Sequence, residues 1–211
     1  FFFKQKTAYE IRNCDWSSDV CSSDLHIECV ALALSYLPAS NTSSITLQGG
    51  GADLIFPHHY MTAIQARALN DKPFASIYAH CGMIGLDGEK MSKSRGNLVF
   101  VSRLLQAGHQ PEAIRMALLS RHYRSDLMWE DKLLKEAEIR INRIRSAMAR
   151  EEVAPTDGVI DAIVNALSND LDTVEVLKIL EYWCADTEAG GVGGQAGELS
   201  RALDLYLGIA I

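Results

Sequence analysis

No CxxC pair occurs in this chain, and its five cysteines, Cys14, Cys21, Cys29, Cys81 and Cys184, form no even framework. That pattern argues against a disulfide-stapled secreted scaffold and for reduced thiols or single metal ligands in a cytoplasmic protein. No apolar run approaches the roughly 20 residues of a membrane span, and FFF followed at once by KQK lacks the hydrophobic stretch of a signal peptide. Basic residues are also short: 20 Lys and Arg stand against 27 Asp and Glu, a formal net charge of -7. This argues against broad electrostatic capture of nucleic acid, so a phosphate-binding site has to be local. What is present, 48% hydrophobic and 22% charged residues over 211 positions, is the composition of a globular protein with one sizeable core or two small ones.

Residues 1–25, FFFKQKTAYEIRNCDWSSDVCSSDL, sustain neither a period of 2 nor one of 3.6 and cluster Ser and Asp without a helix to cap. They resemble the translation of a sequencing-adapter read. The reading is an artefactual segment over 1–25, with the natural protein continuing upstream of His26, so that the chain is a C-terminal fragment.

From His26 the pattern alternates and then turns helical. An apolar helix over Cys29–Leu37 leads to a strand, ITLQ, followed by the triple glycine Gly49–Gly51. Pro57 suits a first helical position, where its missing N–H costs nothing, and TAIQARAL continues the helix. A second strand is expected over ASIYAHCGMI, and Asp87-Gly88 is a hairpin turn signal. Ser102 is a candidate cap for a short helix ending at Gly108, and Pro111 opens the next one. Beyond Trp129 the segments DKLLKEAEIRINRIRSAMAR, VIDAIVNALSN and TVEVLKILEYWC repeat apolar residues at i, i+3, i+4 and i+7, the mark of amphipathic helices in a bundle. AGGVGGQAG reads as a flexible loop before a last helix. The expected fold is α/β over 26–108 followed by an all-α domain over 109–211.

Two stretches carry chemistry. GLDGEKMSKSRGN sets Lys90 and Lys93 three apart among small hydroxyl residues, between a hairpin and Gly96. Ammonium groups gathered there on a polyphosphate stabilise charge on departing pyrophosphate, and fixed cations aimed at transition-state charge contribute a few kcal/mol per contact. A bare KxxK is more often a solvated basic turn; here all five letters of KMSKS are present. GGGADLIFPHHYMT, over 49–62, offers glycines for close backbone approach and an imidazole, His58. With the thiol of Cys29 in HIEC it supplies good zinc-ligand chemistry. A lone Cys on an apolar helix is otherwise a small core residue, and a His at a helix start a capping or surface group.

HIEC, GGGADLIFPHH and DGEKMSKSRGN, in this order, resemble the cysteine-activating branch of the class I aminoacyl-tRNA synthetases and their relatives, from His26 to the chain end. The branch includes cysteinyl-tRNA synthetase and the ligase of mycothiol biosynthesis, which joins cysteine to the amine of glucosaminyl-inositol. The resemblance implies the C-terminal half of a Rossmann-like catalytic domain plus a helical bundle. It implies that Lys90, Met91, Ser92, Lys93 and Ser94 serve ATP, a substrate accompanied by Mg2+, with Lys90 and Lys93 catalytic. Gly51, Ala52 and Asp53 would line the cysteinyl-adenylate pocket with Ile84. Cys29 and His58 would hold one Zn2+ with a further cysteine near the family's N-terminus, leaving an open position for the substrate thiolate. The role of His59 stays open.

Thr62 separates the two relatives. Residues at i and i+4 share a helix face, so position 62 looks where His58 looks. Cysteinyl-tRNA synthetases place a zinc-binding glutamate there, whereas threonine, together with Asp126 and Trp129 in HYRSDLMW, resembles the ligase. The chain runs only about 115 residues past the signature loop, which leaves little room for an anticodon-reading domain. Two features depart from the pattern: Leu25 stands where an aromatic residue is expected before His26, and the upstream HIGH-type motif is missing. The reading is a monomeric ATP-dependent ligase of L-cysteine and glucosaminyl-inositol, without nucleic-acid or membrane partners, inactive as this fragment alone. A cysteinyl-tRNA synthetase fragment and a non-catalytic helical interaction module are the alternatives.

Overall fold

The β-branched start of ITLQ makes a strand, and the chain stays extended through all three glycines. In the computed structural model, which describes residues 19–37, 43–93 and 95–211, β1 runs over Ile45–Gly51 and pairs in parallel with β2, Ala75–Cys81. Gly49, Gly50 and Gly51 therefore lie in the strand, opposite Ala79, His80 and Cys81, and not in a turn after it. Most of the segment set apart at 1–25, including Cys14, lies outside the described residues. Its last part is helical: α1 spans Asp19–Tyr36 and crosses the Leu25/His26 junction without a break. The helix thus starts ten residues before the expected Cys29, which apolar periodicity alone did not mark.

By its internal contacts the chain divides into two compact units, Phe1–Cys81 and Gly82–Ile211. In the first, β1, a 3-10 turn over Ala52–Leu54, an irregular turn over Ile55–His59, α2 over Tyr60–Asn70 and β2 make one βαβ crossover. Val30 of α1, Ala66 of α2, Ile45, Phe74 and Ala75 form its core. Pro57 stands in the irregular turn, after a cis Phe56–Pro57 bond, and α2 begins three residues later than the proline signal implied. Phe56, at φ -138° and ψ 135°, is extended and interrupts the helical path there. The register pair Leu47 and Ile77 is more than half exposed, an apolar face of the kind that parallel sheets cover with further elements.

The second expected strand is split. Ile84–Leu86 forms β3 in a different sheet, antiparallel to β4, Glu89–Lys90, and parallel to β5, Leu127–Trp129. Asp87 and Gly88, at φ 54° and 80°, make the hairpin turn that the sequence marked. β5 has no sequence signal of its own at three residues; it is held by Leu127 N–H donating to Met83 O and by Met83 N–H donating to the Asp126 carboxylate at 2.7 Å. The helical unit follows: α3 Val101–Gln106, α4 Pro111–Leu119, α5 Asp131–Met148, α6 Asp157–Ser168, α7 Thr173–Glu188 and α8 Ala196–Leu207. Ser102 lies inside α3, whose N-cap is Phe100 with no side-chain cap, so the capping assignment is corrected.

The expected boundary near Gly108 falls within the second unit. Leu86, Met91, Val99 and Leu104 pack on the core built from Ile114, Met116, Ile141, Ile163, Leu180 and Trp183, so burial ties the small sheet and the signature loop to the helices. The glycine run 189–197 is mostly exposed, with Gly191 and Gly194 half-buried. Gly190 and Gly193 adopt φ 97° and 96°, and a Cβ at Gly194 would overlap the Ala154 carbonyl. Beyond the flexibility that composition suggests, Gly190 and Gly193 serve positive φ and Gly194 a close approach. No helix among the described residues is long and apolar enough to cross a membrane.

Candidate functional site

His26 is 2% exposed on α1, and its ring stands 4.9 Å, centroid to centroid, from that of His58 in the turn before α2. Cys29 follows His26 by three residues, one helical turn along the same face, and is half-buried with a free thiol. Burial, and then the Glu28 carboxylate, push the Cys29 thiol above its ordinary value. Burial, and then His26, lower the His58 imidazole, which keeps it neutral and able to act as a ligand. Nδ1 of His26 is buried with no hydrogen-bond partner among the described residues. Sequence reasoning quoted HIEC but gave His26 no place; its spacing of three from Cys29 was the available signal.

Behind His58 a second imidazole is fixed at both nitrogens. The Gln48 amide donates to His59 Nε2 at 2.9 Å, and His59 Nδ1 donates to His80 Nε2 at 2.7 Å. Burial, followed by His80 and His58, lowers the pKa of His59 and favours this neutral form. The ring lies against the glycine strand, where a Cβ at Gly50 would come within 2.8 Å of His59 Cε1 and 3.0 Å of Leu54 Cδ1. His59, left open by the sequence, is therefore a buried support for the glycine segment, and glycine at position 50 is needed for the approach. His80 and Gln48 carried no local signal, because their pairing with His59 exists only once β1 and β2 align.

Thr62 is buried, and its hydroxyl donates to the His58 carbonyl at 2.7 Å. It thus satisfies a backbone acceptor of the irregular turn. For zinc the donor chemistry of Cys29 and His58 is right, but among the described residues no three His, Cys, Asp or Glu side chains converge on one point. The two fit as part of a ligand set. Gly51 ends β1, and Ala52 and exposed Asp53 lie in the 3-10 turn, all in the first unit.

The other predicted residues lie in the second unit. Ile84 is in β3, and its carbonyl accepts from Met91 N–H at 3.2 Å. Lys90 ends β4; Met91 and Ser92 are half-buried and Lys93 is exposed; Ser94 lies outside the described residues. Arg95 N–H donates to Ser92 O and Gly96 N–H to Lys93 O, each at 3.3 Å, and the Arg95 guanidinium pairs with the Glu89 carboxylate. Gly96, at φ 70°, reverses the chain so that Asn97 returns alongside the loop. Asp126 and Trp129, singled out in HYRSDLMW, act structurally here: the carboxylate holds Met83, and the indole is buried in the bundle core.

Comparison with known proteins places these features in context. The family model described as "tRNA synthetases class I (C) catalytic domain" matches residues 3–139, a range that reaches into the segment the sequence set apart. The chain is 49% identical, over 88% of its length, to the L-cysteine:1D-myo-inositol 2-amino-2-deoxy-alpha-D-glucopyranoside ligase of Streptomyces coelicolor, and equally to that of Streptomyces griseus. A ligase of the same name from Nakamurella multipartita is 49% identical over 88% of the chain. The chain spans about 45% of the length of these relatives. Among solved structures, the ternary complex of Agrobacterium radiobacter K84 agnB2 LeuRS-tRNA-LeuAMS matches 78% of the chain and 26% of its own, with a TM-score of 0.60 at 18% identity, a likeness of fold alone.

Proposed function

Because the chain belongs to the class I tRNA synthetase family, in the group whose catalytic domain is described as class I (C), we propose that it is part of an ATP-dependent ligase that activates L-cysteine and joins it to the amine of glucosaminyl-inositol. The observation that carries this reading is its identity of 49% over 88% of the chain to proteins named as that ligase. Thr62 supports it, since a hydroxyl spent on the His58 carbonyl offers no carboxylate beside the candidate metal ligand.

In the first step the cysteine carboxylate attacks the α-phosphorus of ATP, forming a mixed anhydride and releasing pyrophosphate. Lys90 and Lys93 meet the charge that develops on the departing phosphates, assisted by Mg2+ carried in with ATP. By the family resemblance Gly51, Ala52, Asp53 and Ile84 are proposed as adenylate contacts. In the second step the unprotonated amine of the acceptor attacks the activated carbonyl, an amide forms and AMP leaves. Zinc, when bound by Cys29, His58 and a further protein ligand, would select a thiol side chain over the hydroxyl of serine. The substrates are small and water-soluble, in keeping with a cytoplasmic enzyme.

The acceptor decides between this ligase and a cysteinyl-tRNA synthetase. Given ATP and cysteine, the full gene product carrying this sequence should form the amide with glucosaminyl-inositol and should leave tRNA uncharged. Aminoacylation of tRNA with no sugar product would overturn the reading of Thr62. No product with either acceptor, and no adenylate, would favour a non-catalytic helical module.

Zinc is tested separately. The full gene product should hold about one equivalent, lost on Cys29→Ala or His58→Ala, whereas the 211-residue chain alone should bind the metal weakly. Elemental analysis that finds zinc unchanged in both full-length variants refutes the ligand assignment.

A further inference from the structure

In an extended strand the N–H and C=O of one residue face one edge, while the C=O of the residue before and the N–H of the residue after face the other. Met91 N–H is bonded to Ile84 O, so the inner edge of the Lys90–Ser92 backbone is tied to β3. β4 is the edge strand of its sheet among the described residues, which places Lys90 C=O and Ser92 N–H on the outer edge, away from β3. Asn97 receives both. Its Oδ1 accepts Ser92 N–H at 2.8 Å, and its Nδ2 donates to Lys90 O at 3.2 Å.

We propose that Asn97 is a positioning residue of the signature loop, its carboxamide replacing a missing strand so that the backbone bearing Lys90 and Lys93 is held in one register. The inference rests on the reading that this loop meets the phosphates of ATP. Only a side-chain amide offers a donor and an acceptor in one plane at this reach. A carboxylate would keep the Ser92 bond and set like partial charges against Lys90 O; a methyl group would remove both bonds. The device is closed by its neighbours. Gly96 supplies the left-handed turn that brings Asn97 back, the Glu89–Arg95 ion pair joins the two flanks, and Met91, between the two bonded residues, packs on the bundle core.

Two measurements on different material test it. In the 211-residue chain, hydrogen exchange at the Ser92 amide should quicken about tenfold or more on Asn97→Ala, while amides of α5 and α7 keep their protection. Asn97→Asp should retain most of the Ser92 protection. Unchanged Ser92 exchange in Asn97→Ala overturns the proposal whatever the loop binds. In the full gene product, cysteine-dependent ATP–pyrophosphate exchange should slow about 10- to 100-fold on Asn97→Ala with the KM for cysteine unmoved, since displacing a catalytic group by about 1 Å costs on that order. Asn97→Asp should recover part of the rate. A residue acting through the lysines adds nothing once both are gone, so Asn97→Ala added to a Lys90→Ala, Lys93→Ala double variant should make it no slower; additive losses overturn the positioning role. If Lys93→Ala leaves exchange intact, the phosphate reading itself falls, and the Ser92 amide then reports separately on what Asn97 does to the loop.

Discussion

Replacing Lys93 by alanine in the full gene product is expected to slow cysteinyl-adenylate formation by about 10²- to 10³-fold, the loss typical of removing one preorganised group that stabilises transition-state charge. Lys93 is exposed at the tip of the signature loop and takes part in no core packing, so the substitution should leave the unfolding transition where it is. The loss should fall on the rate more than on the KM for ATP, because the charge being met grows as pyrophosphate departs. Lys93→Arg keeps the charge and should recover part of the rate, limited by the different shape of the guanidinium. Single-turnover release of pyrophosphate measures the step directly. A rate within about threefold of the unsubstituted enzyme would remove Lys93 from the chemistry, leaving KMSKS as a solvated basic turn.

The largest expected stability effect lies at Trp183. Its indole is 2% exposed at the centre of the bundle, and Nε1 donates to the Ala154 carbonyl at 3.1 Å. Val153–Ala154 is a buried irregular segment that must satisfy its backbone outside any helix or strand. Ala154 N–H is taken by Thr187 Oγ1 at 3.1 Å, Val153 O accepts Gly194 N–H at 2.9 Å, and Trp183 closes the last acceptor. Trp183→Ala should therefore cost about 3–5 kcal/mol through the cavity it opens, and the orphaned carbonyl adds to the loss. Trp183→Phe fills most of the volume and isolates the hydrogen bond; it should cost about 1–3 kcal/mol. Urea unfolding followed by helical circular dichroism reads both. A shift below about 1 kcal/mol for Trp183→Ala would mean that the 153–154 segment rearranges freely, against the packing described here.

The residues show why some of this was legible in advance. α5 to α8 repeat apolar side chains at helical spacing because each buries one face, and that periodicity is a local property of the chain. Asp87-Gly88 announced its turn because few residues accept positive φ. KMSKS, Cys29 and His58 could be nominated from sequence because such chemistry constrains residue type at short range. The small strands behaved differently. β5 has only three residues and is joined to β3 and Met83 by pairings between positions 43 or more apart, such as Met83 to Asp126, which no window of sequence contains.

The same limit separates the candidate site into what the sequence by itself determined and what only the tertiary structure decided. Residue type and spacing determined the helical bundle and nominated the lysine pair, the thiol and imidazole donors and the glycine segment, because each rests on side-chain chemistry or on backbone preferences within a few residues. The tertiary structure decided the rest. Hydrophobic burial of Leu86, Met91, Val99 and Leu104 assigned the signature loop to the helical unit and set the division at Cys81/Gly82. Parallel pairing of β1 with β2 brought Gln48, His59 and His80 into one hydrogen-bonded line beneath Gly50. The edge position of β4 gave Asn97 its two backbone partners. The first of these is driven by apolar burial; in the other two a backbone or imidazole group must find a partner when water is excluded, and strand pairing decides which one.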